Sequence, residues 1–361
     1  MSSNEIEKRS RNFSGQVGTI IPPRQFPVEN YSIDESRYNS EGNWAFCRFF
    51  NEQVYAARLG FQRGAFDLRD YGVAPVDSYL QLHLELMMDE GAVSWIATGQ
   101  YRPEQVALKK GSLDLRLTDG GKQIFHVQGW PDMRWHFQSD DGILEADLGF
   151  DLLDVIILPD CLLQHNLFAM WLATGRVKGN VRFHDRNIPV EGVVFYDHPR
   201  ITVTPNDVSP RQWYLYTPLF FQDGSILFSY YTVDDQERRV LGYSFGMYIT
   251  ADGDGLWLPS TRLSNLKFDQ DGLPEIWQLA WQVGEFRLAV EVSVKPTSIQ
   301  RIWGSPELPK TRSDFVYIPL VLDAVARVFR DGEQQTLSGV GLSEYWHMPG
   351  VDRIEPAGPK P

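Results

Sequence analysis

Val190-Glu191-Gly192-Val193-Val194-Phe195-Tyr196-Asp197-His198-Pro199-Arg200 is the stretch from which the fold can be read. Its β-branched and aromatic residues mark a strand, and that strand runs straight into an acid, an imidazole and a guanidinium. An ionisable tip beside an apolar wall suits a buried acid or base, because an apolar surround raises a carboxyl pKa toward neutrality. A second copy closes the chain: Leu337-Ser338-Gly339-Val340-Gly341-Leu342-Ser343-Glu344-Tyr345-Trp346-His347. In both copies a glycine precedes an acid by five residues, Gly192 to Asp197 and Gly339 to Glu344. Each copy follows a short basic hairpin, Arg182-Phe183-His184-Asp185-Arg186-Asn187 in one and Arg327-Val328-Phe329-Arg330-Asp331-Gly332 in the other. Two related β-domains are expected, each ending in the same hairpin.

Period-two alternation spreads outward from these copies. Leu80, Leu82, Leu84 and Leu86 alternate with Gln81, His83 and Glu85. Leu113, Leu115 and Leu117 follow, then Met133, Trp135 and Phe137, then Ala146, Leu148 and Phe150. In the second half Trp277, Leu279, Trp281 and Val283 form one row, and Phe286, Leu288, Val290, Val292 and Val294 another. Turn signals punctuate the runs at Asp119-Gly120-Gly121, Asp140-Asp141-Gly142, Asp223-Gly224, Asp252-Gly253-Asp254-Gly255, Asp271-Gly272 and Asp331-Gly332. Asp-Gly between alternating runs signals a hairpin, since glycine accepts the positive φ of a tight turn. Leu320 to Phe329 is the one stretch that winds as well as it alternates. The pattern is all-β and antiparallel, and sheets with one face this apolar must close or pair. Two consecutive barrels are expected, at 30–205 and 206–350, with an extended lead-in at 1–29 and a tail at 351–361. The seam is placed in Thr204-Pro205-Asn206-Asp207-Val208-Ser209-Pro210.

The totals exclude several classes. A formal charge of -13 without Lys/Arg clusters argues against nucleic acid. Two cysteines, Cys47 and Cys161, make neither a disulfide framework nor a zinc site. No run approaches the roughly 20 apolar residues of a spanning helix, and Met1 to Ser10 lacks an apolar signal core. A soluble, cytoplasmic chain is expected, of open oligomeric state. Aromatic residues make up 13% of the chain, with 11 tryptophans, which suits an apolar small-molecule partner as well as a core.

No phosphate loop, Ser/His/Asp signature, HExxH or CxxC is present. The candidate catalytic residues are Asp197, His198, Glu344 and Tyr345, with Arg200 and His347 beside them. On a strand Asp197 and His198 point to opposite faces, so only one of them faces a given barrel interior. Asp197 is either a proton donor in an apolar pocket or the structural partner of Arg182 or Arg200. Candidate substrate-binding residues are Tyr196, Trp213, Tyr230, Trp277, Trp281 and Trp346, although tryptophans are by default core. His126, His136, His165 and His184 show no metal-ligand spacing, so no metal is expected.

The strand Gly192-Val193-Val194-Phe195-Tyr196-Asp197-His198 resembles the G-x-G-Y-x-D-H strand of the lipocalin-like two-domain proteins, keeping Asp-His but not the second glycine. That family includes carotenoid 1,2-hydratase (hydroxyneurosporene synthase), kievitone hydratase and the decalin-forming Diels–Alderases of fungal polyketide pathways. Trp213, Asp223 and Gly224 fall in the family's order, and Gly339 to Tyr345 is similar to its closing strand. The resemblance covers residues 40 to 350. It implies two lipocalin-like (calycin-type) barrels, an apolar polyene or terpenoid-like substrate, no cofactor, and chemistry driven by shape or by an acid. A cyclase of specialised metabolism is the leading expectation. Hydration of a double bond is the near alternative, and non-catalytic carriage of an apolar molecule the other.

Overall fold

The computed structural model describes residues 19–21, 40–63, 80–88, 93–101, 103–108, 114–129, 132–139, 141–163, 166–201, 213–233, 239, 244–270, 273–295 and 316–347. The first sheet takes β1 (Thr19–Ile21), β2 (Ser40–Phe49), β3 (Val54–Arg63), β4 (Leu80–Met88), β5 (Val93–Tyr101), β6 (Val106–Leu108), β7 (Asp114–Asp119), β8 (Lys122–Gln128), β9 (Asp132–Gln138), β10 (Leu144–Leu163), β11 (Asn166–Phe183) and β12 (Arg186–Ile201). The second takes β13 (Trp213–Phe221), β14 (Ile226–Val233), β15 (Phe245–Ile249), β16 (Gly255–Leu258), β17 (Arg262–Phe268), β18 (Pro274–Val283), β19 (Phe286–Val294), β20 (Val316–Arg330) and β21 (Glu333–His347). Among the described residues there is no α-helix, only a 3-10 turn at Pro103–Gln105.

The first sheet runs β5-β4-β3-β2-β12-β11-β10-β9-β8-β7-β6, with β1 on β10; the second runs β16-β15-β14-β13-β21-β20-β19-β18-β17. Each curls around its own apolar cluster, and the chain divides into two compact units along the same line. The architecture is all-β, two lipocalin-like barrel units. Leu320 to Phe329 lies in β20, paired on one side with β19 and on the other with β21. Ladder bonds on both sides settle a stretch whose periodicity was ambiguous.

Register shows the duplication directly. His184-Asp185 turns β11 into β12 with Phe183 opposite Arg186, and Asp331-Gly332 turns β20 into β21 with Arg330 opposite Glu333. Asp331 and Gly332 have φ of 55° and 82°, the pair of positive values that a two-residue hairpin of matching twist requires. Gly192 then stands opposite Val177 and Phe49, as Gly339 stands opposite Ala324 and Phe221. Five residues on, Asp197 lies between Leu172 and Trp44, and Glu344 between Pro319 and Tyr216. In each unit the last strand therefore closes on the first long strand in the same register. A Cβ on Gly192 would sit 1.9 Å from the Arg48 carbonyl oxygen, so the glycine permits that closure.

Alternation places the core as the pattern requires: Trp277, Leu279, Trp281, Leu288, Val290 and Val292 are buried within the second sheet's cluster. Each such side chain contributes about 1.5–3 kcal/mol of transfer free energy. The polar partner Glu85 of the Leu82/Leu84/Leu86 row departs from expectation. It is 1% exposed and ion-paired to Arg58, 0% exposed, at 3.2 Å. The outer face of β2, β3, β4 and β12 is thus buried as well as the inner one. Thr204 to Pro210, Asp271-Gly272, the tail and most of the lead-in lie outside the described residues, while β1 of the lead-in pairs with β10.

Candidate active site

The closing strand of each unit sends neighbouring candidates to opposite faces. On β12, Tyr196 and His198 point with Val194 into the first unit's interior, and Asp197 points outward with Phe195. On β21, Tyr345 points into the second unit's interior, and Glu344 points outward. Tyr196, Asp197, His198, Glu344 and Tyr345 are all buried, and the two acids share a register position but neither shares a face with the candidate next to it.

In the first interior Tyr196 packs between tryptophans, with ring centroids 6.1 Å from Trp135 and 5.1 Å from Trp171. His198 lies 4.8 Å from Trp171, its cross-strand partner. The Tyr196 hydroxyl donates to Asn43 Oδ1. In the second interior burial pushes the Tyr345 phenol well above the ordinary tyrosine value. Trp277 is fully buried, and the Trp281 indole donates to Thr261 Oγ1 at 2.9 Å while lying over Gly246, whose Cβ would meet it at 3.0 Å. Trp277 and Trp281 are packed core side chains here, as the default reading of a tryptophan expects. The side chains of Trp213 and Trp346 lie outside the described residues; their backbones pair with Val233 and His347, and with Tyr214 and Tyr317.

Outward, Asp197 sits on a buried face between Leu172 and Trp44. One row along lies Glu85, Arg58, Phe46 and Phe195 across four strands. The Arg58 guanidinium lies 5.9 Å from the Trp44 ring, which in turn lies against Gly60, where any Cβ would meet it at 2.0 Å. Arg182, the partner considered for Asp197, instead holds Glu145, with its Nε donating at 3.0 Å. The other, Arg200, has its side chain outside the described residues.

The outer face around Glu344 is more regular. Glu344, Tyr216, Tyr230 and Phe245 form one straight row across β21, β13, β14 and β15. Tyr214 stacks on Tyr230 at 5.2 Å, Tyr230 on Phe245 at 6.1 Å, and Phe245 on Trp257 at 4.7 Å. Tyr216 meets Tyr230 edge-on at 5.8 Å and Phe228 at 4.8 Å. The Tyr214 hydroxyl donates to Glu344 Oε2 at 3.4 Å. The result is a ribbon of stacked rings crossing four strands, with a carboxyl at one end and half-exposed rings, Tyr214 and Trp257, at its limits. Tyr216, Tyr230, Phe245 and Glu344 are buried and Tyr214 and Trp257 partly exposed, so the ribbon is a mostly covered apolar layer that carries one acid.

Sequence reasoning found Glu344 and Tyr230 but missed Tyr214, Tyr216, Phe245 and Trp257, whose stack exists only through register. It also missed Arg58 and Glu85. Each is a lone charge inside an apolar run, Val54 to Phe61 and Leu80 to Met88, and that signal was available. Among the described residues His136, Glu145 and Asp147 offer one ligand atom each within 4.8 Å, but Glu145 is engaged by Arg182.

No family model matches the sequence, and no curated protein matches it. Solved structures share the fold. A Nitrosomonas europaea protein described as AttH is 13% identical, over 89% of this chain and 96% of its own, with TM-score 0.58. Kievitone hydratase from Nectria haematococca is 11% identical over 93% and 98%, with TM-score 0.54. CghA is 9% identical over 95% and 97%, with TM-score 0.52. The chain has the two-domain β-fold of these proteins.

Proposed function

We propose that the protein is a cofactor-independent cyclase acting on an apolar, unsaturated small molecule laid along the aromatic ribbon of β13–β16. The observation that carries this reading is the acid-headed stack: Glu344 at the end of Tyr214, Tyr230, Phe245 and Trp257. The edges of a row of stacked rings hold a flexible polyene in an extended or folded conformer. Positioning of this kind supplies on the order of 7–11 kcal/mol of a barrier in well-oriented models. Glu344 donates a hydrogen bond or a proton to a carbonyl of the substrate, with Tyr214 orienting the carboxyl. Asp197, at the same register position between Leu172 and Trp44, is the corresponding acid of the first unit. The fold is shared with CghA and with a protein named as a hydratase, and an enzymatic role is in keeping with the latter name.

Hydration is the second reading, favoured by the same buried acid, which can protonate a double bond before water adds. A panel of linear conjugated polyenes bearing one carbonyl, incubated with the protein in deuterated water, tests both. A cyclised product has the mass of its substrate and carries no carbon-bound deuterium if the reaction is a cycloaddition. A hydrated product gains the mass of one water molecule. Fluorescence quenching by these polyenes without any turnover would establish a carrier in place of an enzyme.

A further inference from the structure

The other half of the second sheet carries a different surface. On the outer face of β17–β21, Arg262, Ala280, Ala289, Arg327 and Thr336 form one straight cross-strand row. The next row toward the turns is Gln282, Arg287, Phe329 and Gln334. All of these but Thr336 line an open groove of about 430 Å³ within this unit, along with Trp281 and Leu288. We propose that this groove is a binding site for a small multivalent anion of the diphosphate or dicarboxylate class, held by Arg262, Arg287 and Arg327.

Three observations carry the assignment. Arg262, Arg287 and Arg327 are exposed, and none has an ion-pair partner among the described residues, in a chain whose formal charge is -13. Of the neighbouring charges, Arg330 pairs with Asp331 at 3.3 Å and Lys295 with Asp323 at 3.3 Å, Glu291 in the following row accepts from Gln278 at 3.0 Å, and the exposed Glu285 and Glu333 stand near the turns. Between the two arginines of the first row stand the small side chains of Ala280 and Ala289, where larger ones would fill the hollow.

The geometry then selects the ligand. Arg262 and Arg327 stand three strand spacings apart, about 14 Å between backbones, and both line the groove. The Arg287 guanidinium is propped against the Phe329 ring at 4.1 Å, which fixes its fork from a third side. Planar forks suit the bidentate geometry of phosphate and carboxylate oxygens. Three like charges around one hollow repel one another unless an anion sits among them. The groove is of small-molecule size, larger than a single phosphate needs, and the amides of Gln282 and Gln334 add neutral donors at its turn end.

The test is isothermal titration of the full chain at low salt with pyrophosphate and, separately, citrate. Saturable binding with a dissociation constant on the order of 1 mM or tighter is expected for one of them, and which one tells phosphate from carboxylate preference. Arg262→Gln, Arg287→Gln and Arg327→Gln should each weaken it roughly tenfold, whereas Arg330→Gln, outside the groove, should leave it unchanged. All four positions are exposed, so melting temperatures should match the parent. No saturable binding of either anion overturns the proposal. Equal weakening by Arg330→Gln overturns it too, since the effect would then be diffuse charge and not a site.

Discussion

The buried pair Arg58–Glu85 gives a stability prediction that can be worked from its surroundings. Both side chains are fully excluded from solvent, 3.2 Å apart, on strands paired so that the two residues stand directly opposite. Glu85→Leu removes the carboxylate opposite Arg58, on a buried face that also carries Trp44, Phe46 and, one row along, Asp197. Stranding one charge of a buried pair costs about 3–5 kcal/mol. For a domain of this size that corresponds to a fall in melting temperature of roughly 6–20 °C. Arg58→Met should cost a similar amount. The double variant carries neither charge and fills the space with apolar atoms, so it should recover most of the loss. Urea unfolding of the three variants, followed by near-ultraviolet circular dichroism, gives the cycle. Single variants within about 0.5 kcal/mol of the parent would refute the reasoning, because the pair would then be solvated in solution.

Further outcomes follow from other positions. Burial pushes the Tyr231, Tyr248 and Tyr345 phenols above the ordinary value of 10.0, so what these groups contribute is intact below that pH and is lost as pH rises through their raised folded values. Tyr345→Phe should therefore move the alkaline unfolding midpoint upward, and an unchanged midpoint would count against the burial. Burial pushes the Asp114 carboxyl up, but hydrogen bonds from His126 and Arg116 outweigh it and hold the group below 3.8. Its contribution is present above that pH and is lost as pH falls through the lowered folded value, so Asp114→Asn should flatten the acid limb of the stability profile. Gly192→Ala places a methyl against the Arg48 carbonyl and should destabilise the β2–β12 closure by about 1–3 kcal/mol, measured by urea midpoint. The same change at exposed Gly284, where no atom lies within 4 Å of a new Cβ but φ is 57°, should act only through backbone strain.

The fold was legible because alternation survives without context: Trp277 to Val283 and Phe286 to Val294 bury alternate residues as their sequence pattern requires. The duplicated ending was legible because a two-residue turn fixes register, and register carries the glycine and the acid to equivalent places in both units. What sequence left open was the face. Asp197 and Glu344 face away from the interiors that hold His198 and Tyr345, and no periodicity says that an outer face will also be buried. The aromatic ribbon was invisible for a related reason. Tyr214, Tyr230, Phe245 and Trp257 come from four strands, and only hydrogen-bonded pairing stacks them. Arg58 and Glu85 lie 27 residues apart in sequence, so nothing local announces that each is the other's partner.

Turnover of a carbonyl-bearing conjugated polyene by folded Glu344→Gln, set beside the parent and Asp197→Asn, tests the central claim most directly. A lost hydrogen bond from an acid is worth about 1.5–3 kcal/mol, so Glu344→Gln should slow cyclisation roughly ten- to hundred-fold while the polyene still quenches tryptophan fluorescence. If both carboxamide variants turn over the polyene at the parent rate, neither acid acts on substrate and the duplicated strand ending is architectural.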